Sequence, residues 1–421
     1  MISMKYFNFN EDIILVEGAC GGLIQDLKNK KLYSIDAASK ICLKQLLEGK
    51  TISEVINQAG NLDKNKLLGY LDQLVDKKLG FYSKVWIKNE AFEKCIYDKL
   101  DTVWLELRKS CNLKCCHCYM DSNPKRDIGL RLLNLKQWEE VILQLERFKP
   151  KRIILIGGEP LLFKDIELLI EFISNRNKQT DIILYSNLTL LTDEVVACII
   201  KNNVKVVTSV YSKNKEIHDK ITNHIGSFDK TIAGIKKLRS KGVYVQANTV
   251  IMKYNVEETQ SIQEFLYGIT GRKAKIDVIR DVGKEKSNLI PGLQGLKCGR
   301  VKIKPNFQGI SKAEFIKNFS GNSCWQGKIN IGCNGEISPC IMGEKFINLK
   351  YNVFTHSLEE IISEYLQKEV WNVSRDLIKV CCDCEYRYVC KDCRPVAIES
   401  EKIYERGNTC KYNPYERRWE D

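Results

Sequence analysis

The chain has 421 residues, too many for one ordinary core, and its 44% apolar content suffices for two or three folded domains. Its net charge of +13 is interleaved with acidic residues, as in "DKNKLLGYLDQLVDKK", with no Arg-rich arm or basic amphipathic helix, so neither nucleic acid nor a membrane is an expected partner. No apolar run reaches the length of a membrane span, and the opening "MISMKYFNFNEDII" lacks the basic segment and apolar core of a signal peptide, which together predict a cytoplasmic protein.

Residues 5–83 predict a small α/β domain. "DIILVEG", "GLIQDL" and "KLYSID" are short strand-like runs separated by turn residues. A helix is predicted from about Ala37 to Glu48 with Asp36 as its cap, and "TISE" at 51–54 is a capping box for the next helix. A third helix is predicted over about 64–78, with Leu67, Leu68, Leu71, Leu74 and Val75 on one face. "GFYS" returns as a strand, and 84–100 reads as a connector.

From Val103 to Arg280 strands and helices alternate. The strands are "VWLEL" (103–107), "RIILI" (152–156), "DIILYS" (181–186), "VKVVTSV" (204–210), "VYVQANTVI" (243–251) and "AKIDVI" (274–279). Six such units predict an α/β fold, a partial (β/α)6 TIM barrel, whose chemistry sits on the loops at the C-terminal strand ends. Beyond about residue 290 the alternation stops and Gly and Cys recur, so this part is expected to depend on bound metal for its fold.

The 18 cysteines are far more than a cytoplasmic chain usually carries, and in a reducing compartment they read as metal ligands rather than disulfides. Cys111, Cys115 and Cys118, just after the first barrel strand, form C-x3-C-x2-C. Three thiolates on one loop suit three irons of a [4Fe–4S] cluster and leave the fourth iron open; the alternative is zinc, completed by His117 or a distant residue. Cys116 fits neither spacing. Cys42 and Cys198 fall on apolar helical faces, as core residues do.

"CNLKCCHCY" resembles the cluster loop of the radical S-adenosylmethionine (SAM) superfamily, with His117 where an aromatic residue is common. The resemblance implies that the open iron chelates the amino and carboxylate groups of SAM, that one electron cleaves a C–S bond, and that the resulting 5′-deoxyadenosyl radical abstracts hydrogen from substrate. "IGGEP" (156–160), after the second strand, resembles the family's GGE element, which implies backbone approach to SAM at Gly157 and Gly158 and a partner for its ammonium in Glu159. "YSNLT" keeps Asn187 of the T-N-G element, with Leu188 in place of Gly. "SVYS" keeps Ser209 of the S-x-D-x element, with Tyr211 in place of Asp. Asn187 and Ser209 are thereby expected to hold the ribose or carboxylate of SAM.

Cys324, with Gly335 and Cys340 downstream, and "CCDCEYRYVCKDC" followed by Cys410 resemble the SPASM domain, which binds two auxiliary [4Fe–4S] clusters. Its interleaved ligation implies Cys298, Cys324, Cys340 and Cys393 for the inner cluster and Cys381, Cys384, Cys390 and Cys410 for the outer. The last spacing is x2 here where x3 is usual, and if Cys298 is not a ligand the inner cluster keeps an open iron. Paired zinc ribbons are the alternative.

The first domain resembles the PqqD-like recognition element for ribosomal peptides, which captures a leader as an added strand, here on "KLYSID" (31–36) beside the helix at about 64–78. A plain winged helix fits the same pattern. The opening segment also resembles "grasp-with-SPASM" maturases, which work beside an ATP-grasp ligase. Together these imply a leader-recognition domain at 1–83, a linker at 84–100, a radical SAM barrel at 101–285 and a SPASM domain at 286–421. The expected activity is a peptide maturase with three [4Fe–4S] clusters and SAM, fed electrons by a flavodoxin or ferredoxin. The expected product is a Cys thioether crosslink; the alternatives are a carbon–carbon crosslink, epimerisation, a sulfatase-maturase-like activity, and a zinc-stabilised winged-helix protein that binds nucleic acid.

Overall fold

The first strands are short because Asn, Gly and Lys turns interrupt the apolar runs every few residues. A computed structural model describes residues 5–58, 64–89, 92–279, 287–289, 307–343, 346, 348, 350–391, 393–397, 403–407 and 410–419. The chain divides into two compact units: Met1–Tyr97 with Ile303–Gln326 and Trp371–Asp421, and Asp98–Lys302 with Gly327–Val370. The four sequence segments are contiguous and cut across this interleaved division.

In the first unit β1 (Tyr6–Phe9) pairs antiparallel with β5 (Gly80–Ser83). The strands β2 (Ile13–Glu17), β3 (Gly22–Asp26) and β4 (Lys31–Ile35) form a separate antiparallel meander in the order β2-β3-β4, so β4 ends its sheet. The helices are α1 (Ala37–Leu47), α2 (Ile52–Gln58) and α3 (Lys64–Asp76). Asp36 caps α1 by accepting from the Ser39 N–H at 2.7 Å. Thr51 and Glu54 complete the capping box of α2, the Thr51 N–H donating to Glu54 at 2.7 Å and the Glu54 N–H to Thr51 Oγ1 at 3.2 Å. Leu67, Leu71 and Leu74 of α3 are buried against Phe7, Leu43 and Leu46, so the apolar stripe of this helix closes the core. The same unit holds a helix at Lys312–Ser320, started by a Ser311–Glu314 capping box.

The second unit is built on β6 (Thr102–Arg108), β7 (Arg152–Gly157), β8 (Asp181–Tyr185), β9 (Lys205–Ser209), β10 (Val245–Ile251) and β11 (Ile276–Val278). Between them run α4 (Leu135–Glu146), α5 (Ile166–Arg176), α6 (Asp193–Lys201), α7 (Lys215–Thr222), α8 (Ser227–Ser240) and α9 (Thr259–Thr270). The six strands are parallel and lie in sequential order, the arrangement of an open, partial barrel. Val103, Leu105, Ile153, Leu155 and Val206 are fully buried, which is why these strands read as near-continuous apolar runs.

The sheet does not end at residue 285. A further strand, β12 (Lys328–Ile331), pairs parallel with β6, and β13 (Ile337–Ser338) pairs antiparallel with β12. Ile329, Ile331 and Ile337 are fully buried, so this part of the chain adds apolar residues to the core of the barrel sheet. Four residues flanked by Gly and Cys are too short for their alternation to stand out. Among the described residues no helix is long and apolar enough to cross a membrane.

Candidate active site

The C-terminal ends of β6 to β9 meet at a cavity of about 220 Å³. Cys111, Cys115 and Cys118 line it from the loop after β6, Gly157 and Gly158 from the end of β7, Asn187 from beyond β8, and Ser209 from the end of β9. Cys116 is not among the lining residues. It packs instead against an apolar cluster with Ile221, Met252 and Leu289, and its N–H donates to the Ile221 carbonyl at 2.9 Å.

The cysteine loop is held from both sides. Asp127 Oδ1 accepts from the Lys109 and Ser110 N–H groups, each at 2.9 Å, and Ser110 Oγ accepts in return from the Asp127 N–H. From β7, the Gly158 N–H donates to the Arg108 carbonyl at 2.7 Å and the Glu159 N–H to the Ser110 carbonyl at 3.0 Å. The backbones are so close that a Cβ on Gly157 would lie 2.2 Å from the Arg108 oxygen, and one on Gly158 2.2 Å from the Ser110 oxygen. Gly157 also has φ of 145°, outside the range of ordinary side-chain-bearing residues. The two glycines therefore let the second strand press against the first cysteine's loop, a need that motif comparison alone did not express.

Residues 106–266 match a model of the Radical SAM superfamily. This stretch begins on β6, contains the triad, the paired glycines, Asn187 and Ser209, and ends on α9. Residues 106–266 are a radical SAM domain. AlbA of Bacillus subtilis (strain 168), an antilisterial bacteriocin subtilosin biosynthesis protein, is 23% identical over 319 residues, which cover 73% of this chain and 70% of AlbA. The AdoMet-dependent heme synthase of Methanosarcina barkeri (strain Fusaro / DSM 804) is 25% identical over 343 residues, covering 73% of this chain and 95% of that protein. The crystal structure of Streptococcus suis SuiB bound to precursor peptide SuiA superposes with a TM-score of 0.57 and 16% identity, over 96% of this chain and 100% of SuiB. The likeness to SuiB shows a shared α/β radical SAM fold.

A radical SAM domain implies a [4Fe–4S] cluster and SAM, and the donor set fits both. Burial pushes the Cys111 thiol up to about 12 and the Cys115 thiol well above its ordinary value, and the neighbouring thiols add to both shifts. Three crowded thiolates thus need a cationic group among them. Among the described residues no Lys, Arg, Asp or Glu lines the cavity, so the side chains do not supply that charge, and iron would. Thiolates of a four-iron cluster each bind a different iron. The sulfurs already accept from backbone groups: the Leu113 N–H points to Cys111 Sγ at 3.4 Å and the Ser122 N–H to Cys118 Sγ at 3.3 Å.

Glu159 sits behind the cavity wall. It is fully buried and is not a lining residue of the cavity. Its Oε1 accepts from Ser186 Oγ at 2.7 Å and the Leu161 N–H at 3.0 Å, and its Oε2 from the Asn187 N–H at 2.8 Å. The carboxyl group ties the ends of β7 and β8 together, and those bonds occupy it. Burial outweighs them and raises its pKa from 4.5 to about 7. The folded protein therefore keeps this proton to higher pH than the unfolded chain. The resulting stabilisation is complete below about 4.5 and is lost as pH rises through about 7. Glu159→Gln sets an amide N–H against either the Leu161 or the Asn187 N–H, so it should lower stability by about 1–3 kcal/mol and flatten the fall in melting temperature between pH 6 and 8. An unchanged slope would remove Glu159 from that account.

Asn187 faces the cavity but is engaged within the loops. Its Nδ2 donates to Asn112 Oδ1 at 3.0 Å, and its Oδ1 accepts from Thr189 Oγ1 at 2.6 Å. Leu188 has φ of 62°, the conformation that a glycine would adopt without strain, and its buried side chain packs on Gly234 of α8. Tyr211 is half-buried in the cavity wall and meets the His117 ring edge-on at 4.4 Å.

The other cysteines are spread over both units. Cys381, Cys384, Cys390 and Cys410 are half-buried and all belong to the first unit. Burial raises Cys384, and Cys381 and Cys390 are close enough to raise it further. Of the inner set, Cys324 and Cys393 belong to the first unit, Cys340 to the second, and Cys298 lies outside the described residues. Cys42, Cys198 and Cys333 are buried. Sequence reasoning passed over Asp127, Thr208, His218 and Ser122. For His218 there was a signal: it is one of only four histidines, and it shares the buried face of α7 with Ile221 and Thr222.

Proposed function

We propose that this radical SAM enzyme is a maturase that installs a crosslink, a thioether from a peptide cysteine, in a ribosomally synthesised precursor. The observation that carries the reading is the extent of the SuiB likeness, 96% of this chain, which takes in the N-terminal meander and helices as well as the barrel. SuiB is seen there with a precursor peptide, and AlbA serves bacteriocin biosynthesis. In this reading residues 1–83 bind the leader as a strand added to β4, 84–100 link, 101–285 hold the reaction and 286–421 form a SPASM domain. Cys298, Cys324, Cys340 and Cys393 would hold the inner auxiliary cluster and Cys381, Cys384, Cys390 and Cys410 the outer. A flavodoxin or ferredoxin supplies electrons, and an ATP-grasp ligase is a further partner.

When bound, the cluster and SAM supply one-electron cleavage of the sulfonium C–S bond and hydrogen abstraction from substrate. The chain's own part is to present the three thiolates from one loop, to press β7 on that loop, and to enclose the site with neutral groups.

Anaerobic reconstitution tests the cluster count: about twelve irons with matching sulfide if three four-iron clusters form. Stoichiometric zinc without sulfide, and no 5′-deoxyadenosine from SAM and reductant, would sink the enzyme reading. Co-expression with a short Cys-rich peptide encoded nearby, read by mass spectrometry, tests the substrate. Loss of two hydrogens per event marks a crosslink, and tandem spectra place it on sulfur or carbon. Unchanged mass with inverted stereochemistry marks epimerisation. A full-length protein that neither modifies nor binds such peptides is not a peptide maturase.

A further inference from the structure

His218 is 1% exposed and lines the cavity beside Tyr211. Its ring lies between Tyr211 and Phe228, with centroids at 5.4 and 5.6 Å. The Tyr211 backbone N–H donates to Nδ1 at 3.3 Å. That bond makes Nδ1 the acceptor and leaves the proton on Nε2, across the ring. Burial pushes the imidazole down to about 4, so it is neutral near pH 7. Among the described residues Nε2 has no hydrogen-bond partner. Thr208, near the end of β9, lines the same cavity, and its buried Oγ1 also has none among the described residues. The same is true of Ser122 Oγ. Buried polar groups in folded proteins find partners, and here the cavity is the side from which one can come.

We infer that the His218 Nε2–H and Thr208 Oγ1 are hydrogen-bonding contacts of SAM in the cavity beside the cysteine triad. Both are neutral. They suit the uncharged hydroxyl and nitrogen groups of the nucleoside part of SAM rather than its charged amino-acid end, which the open iron is suited to take. The inference rests on the cavity being the SAM site and is independent of the peptide reading.

Equilibrium dialysis of labelled SAM against iron-loaded, full-length protein tests it. His218→Phe and Thr208→Val should each weaken binding about tenfold at unchanged iron and sulfide content. His218→Gln, which retains an N–H donor, should stay within about threefold of wild type. Wild-type affinity in the Phe and Val variants overturns the inference. Equal losses in the Gln and Phe variants also overturn it, because they would report packing rather than a donated proton. If the Phe variant does not load iron, Thr208→Val decides: a tenfold loss supports the contact and wild-type affinity rejects it. If wild-type protein with full iron binds no SAM, the site assignment itself fails. Failure to modify any peptide leaves the binding result standing.

Discussion

Replacing Cys111, Cys115 or Cys118 with Ala is expected to abolish cleavage of SAM to 5′-deoxyadenosine, whereas Cys116→Ala retains most of it. The three thiols line one cavity, while Cys116, only one residue from Cys115, packs into an apolar cluster with Ile221 and Met252. Each of the three would bind its own iron, so losing one leaves a metal without its protein ligand. Cys116→Ala removes one partly buried sulfur from a packed cluster and should cost stability of about 1 kcal/mol. Iron and sulfide content with chromatographic measurement of 5′-deoxyadenosine checks both halves. A Cys116→Ala protein as inactive as the other three would show that the cavity has been assigned the wrong thiols.

Gly158→Ala should be nearly as damaging, although it removes no ligand. Its Cβ would have to sit 2.2 Å from the Ser110 carbonyl oxygen, and the obstacle is backbone rather than a movable side chain. Either β7 retreats and loses the Gly158-to-Arg108 and Glu159-to-Ser110 bonds, or the loop before Cys111 shifts. Iron loading should fall to a small fraction of wild type, with SAM cleavage falling in parallel. Gly268→Ala is the matched control. It lies in α9 with nothing within 4 Å of its added methyl, so it should load iron normally and gain up to about 1 kcal/mol of stability. Normal iron content in Gly158→Ala would show that the close approach of β7 does not shape the cluster loop.

The barrel was legible because its strands are buried on both faces and its helices carry regular apolar stripes. Runs such as "RIILI" and caps such as "TISE" announce themselves without tertiary information. The triad stands out for the same local reason, since its three cysteines lie within eight residues. What escaped depends on long-range approach. Strand β12 gains its identity only by pairing with β6, more than two hundred residues earlier. The bonds of Glu159 to Ser186 and Asn187 likewise depend on the neighbouring strand. His218 had no motif to mark it, and its placement needs α7 folded back over the cluster loop, with the Lys114 and Cys116 N–H groups bonded to Thr222 and Ile221.

Leu188 has a wider consequence. Its backbone keeps the left-handed turn with a residue that does not favour it, and the side chain repays the strain, of order 1 kcal/mol, by packing on Gly234. The turn's side chain fits only because the helix that meets it carries none at that point, so Gly234→Ala, whose Cβ would lie 2.9 Å from Leu188 Cβ, should lower the melting temperature unless position 188 is made smaller.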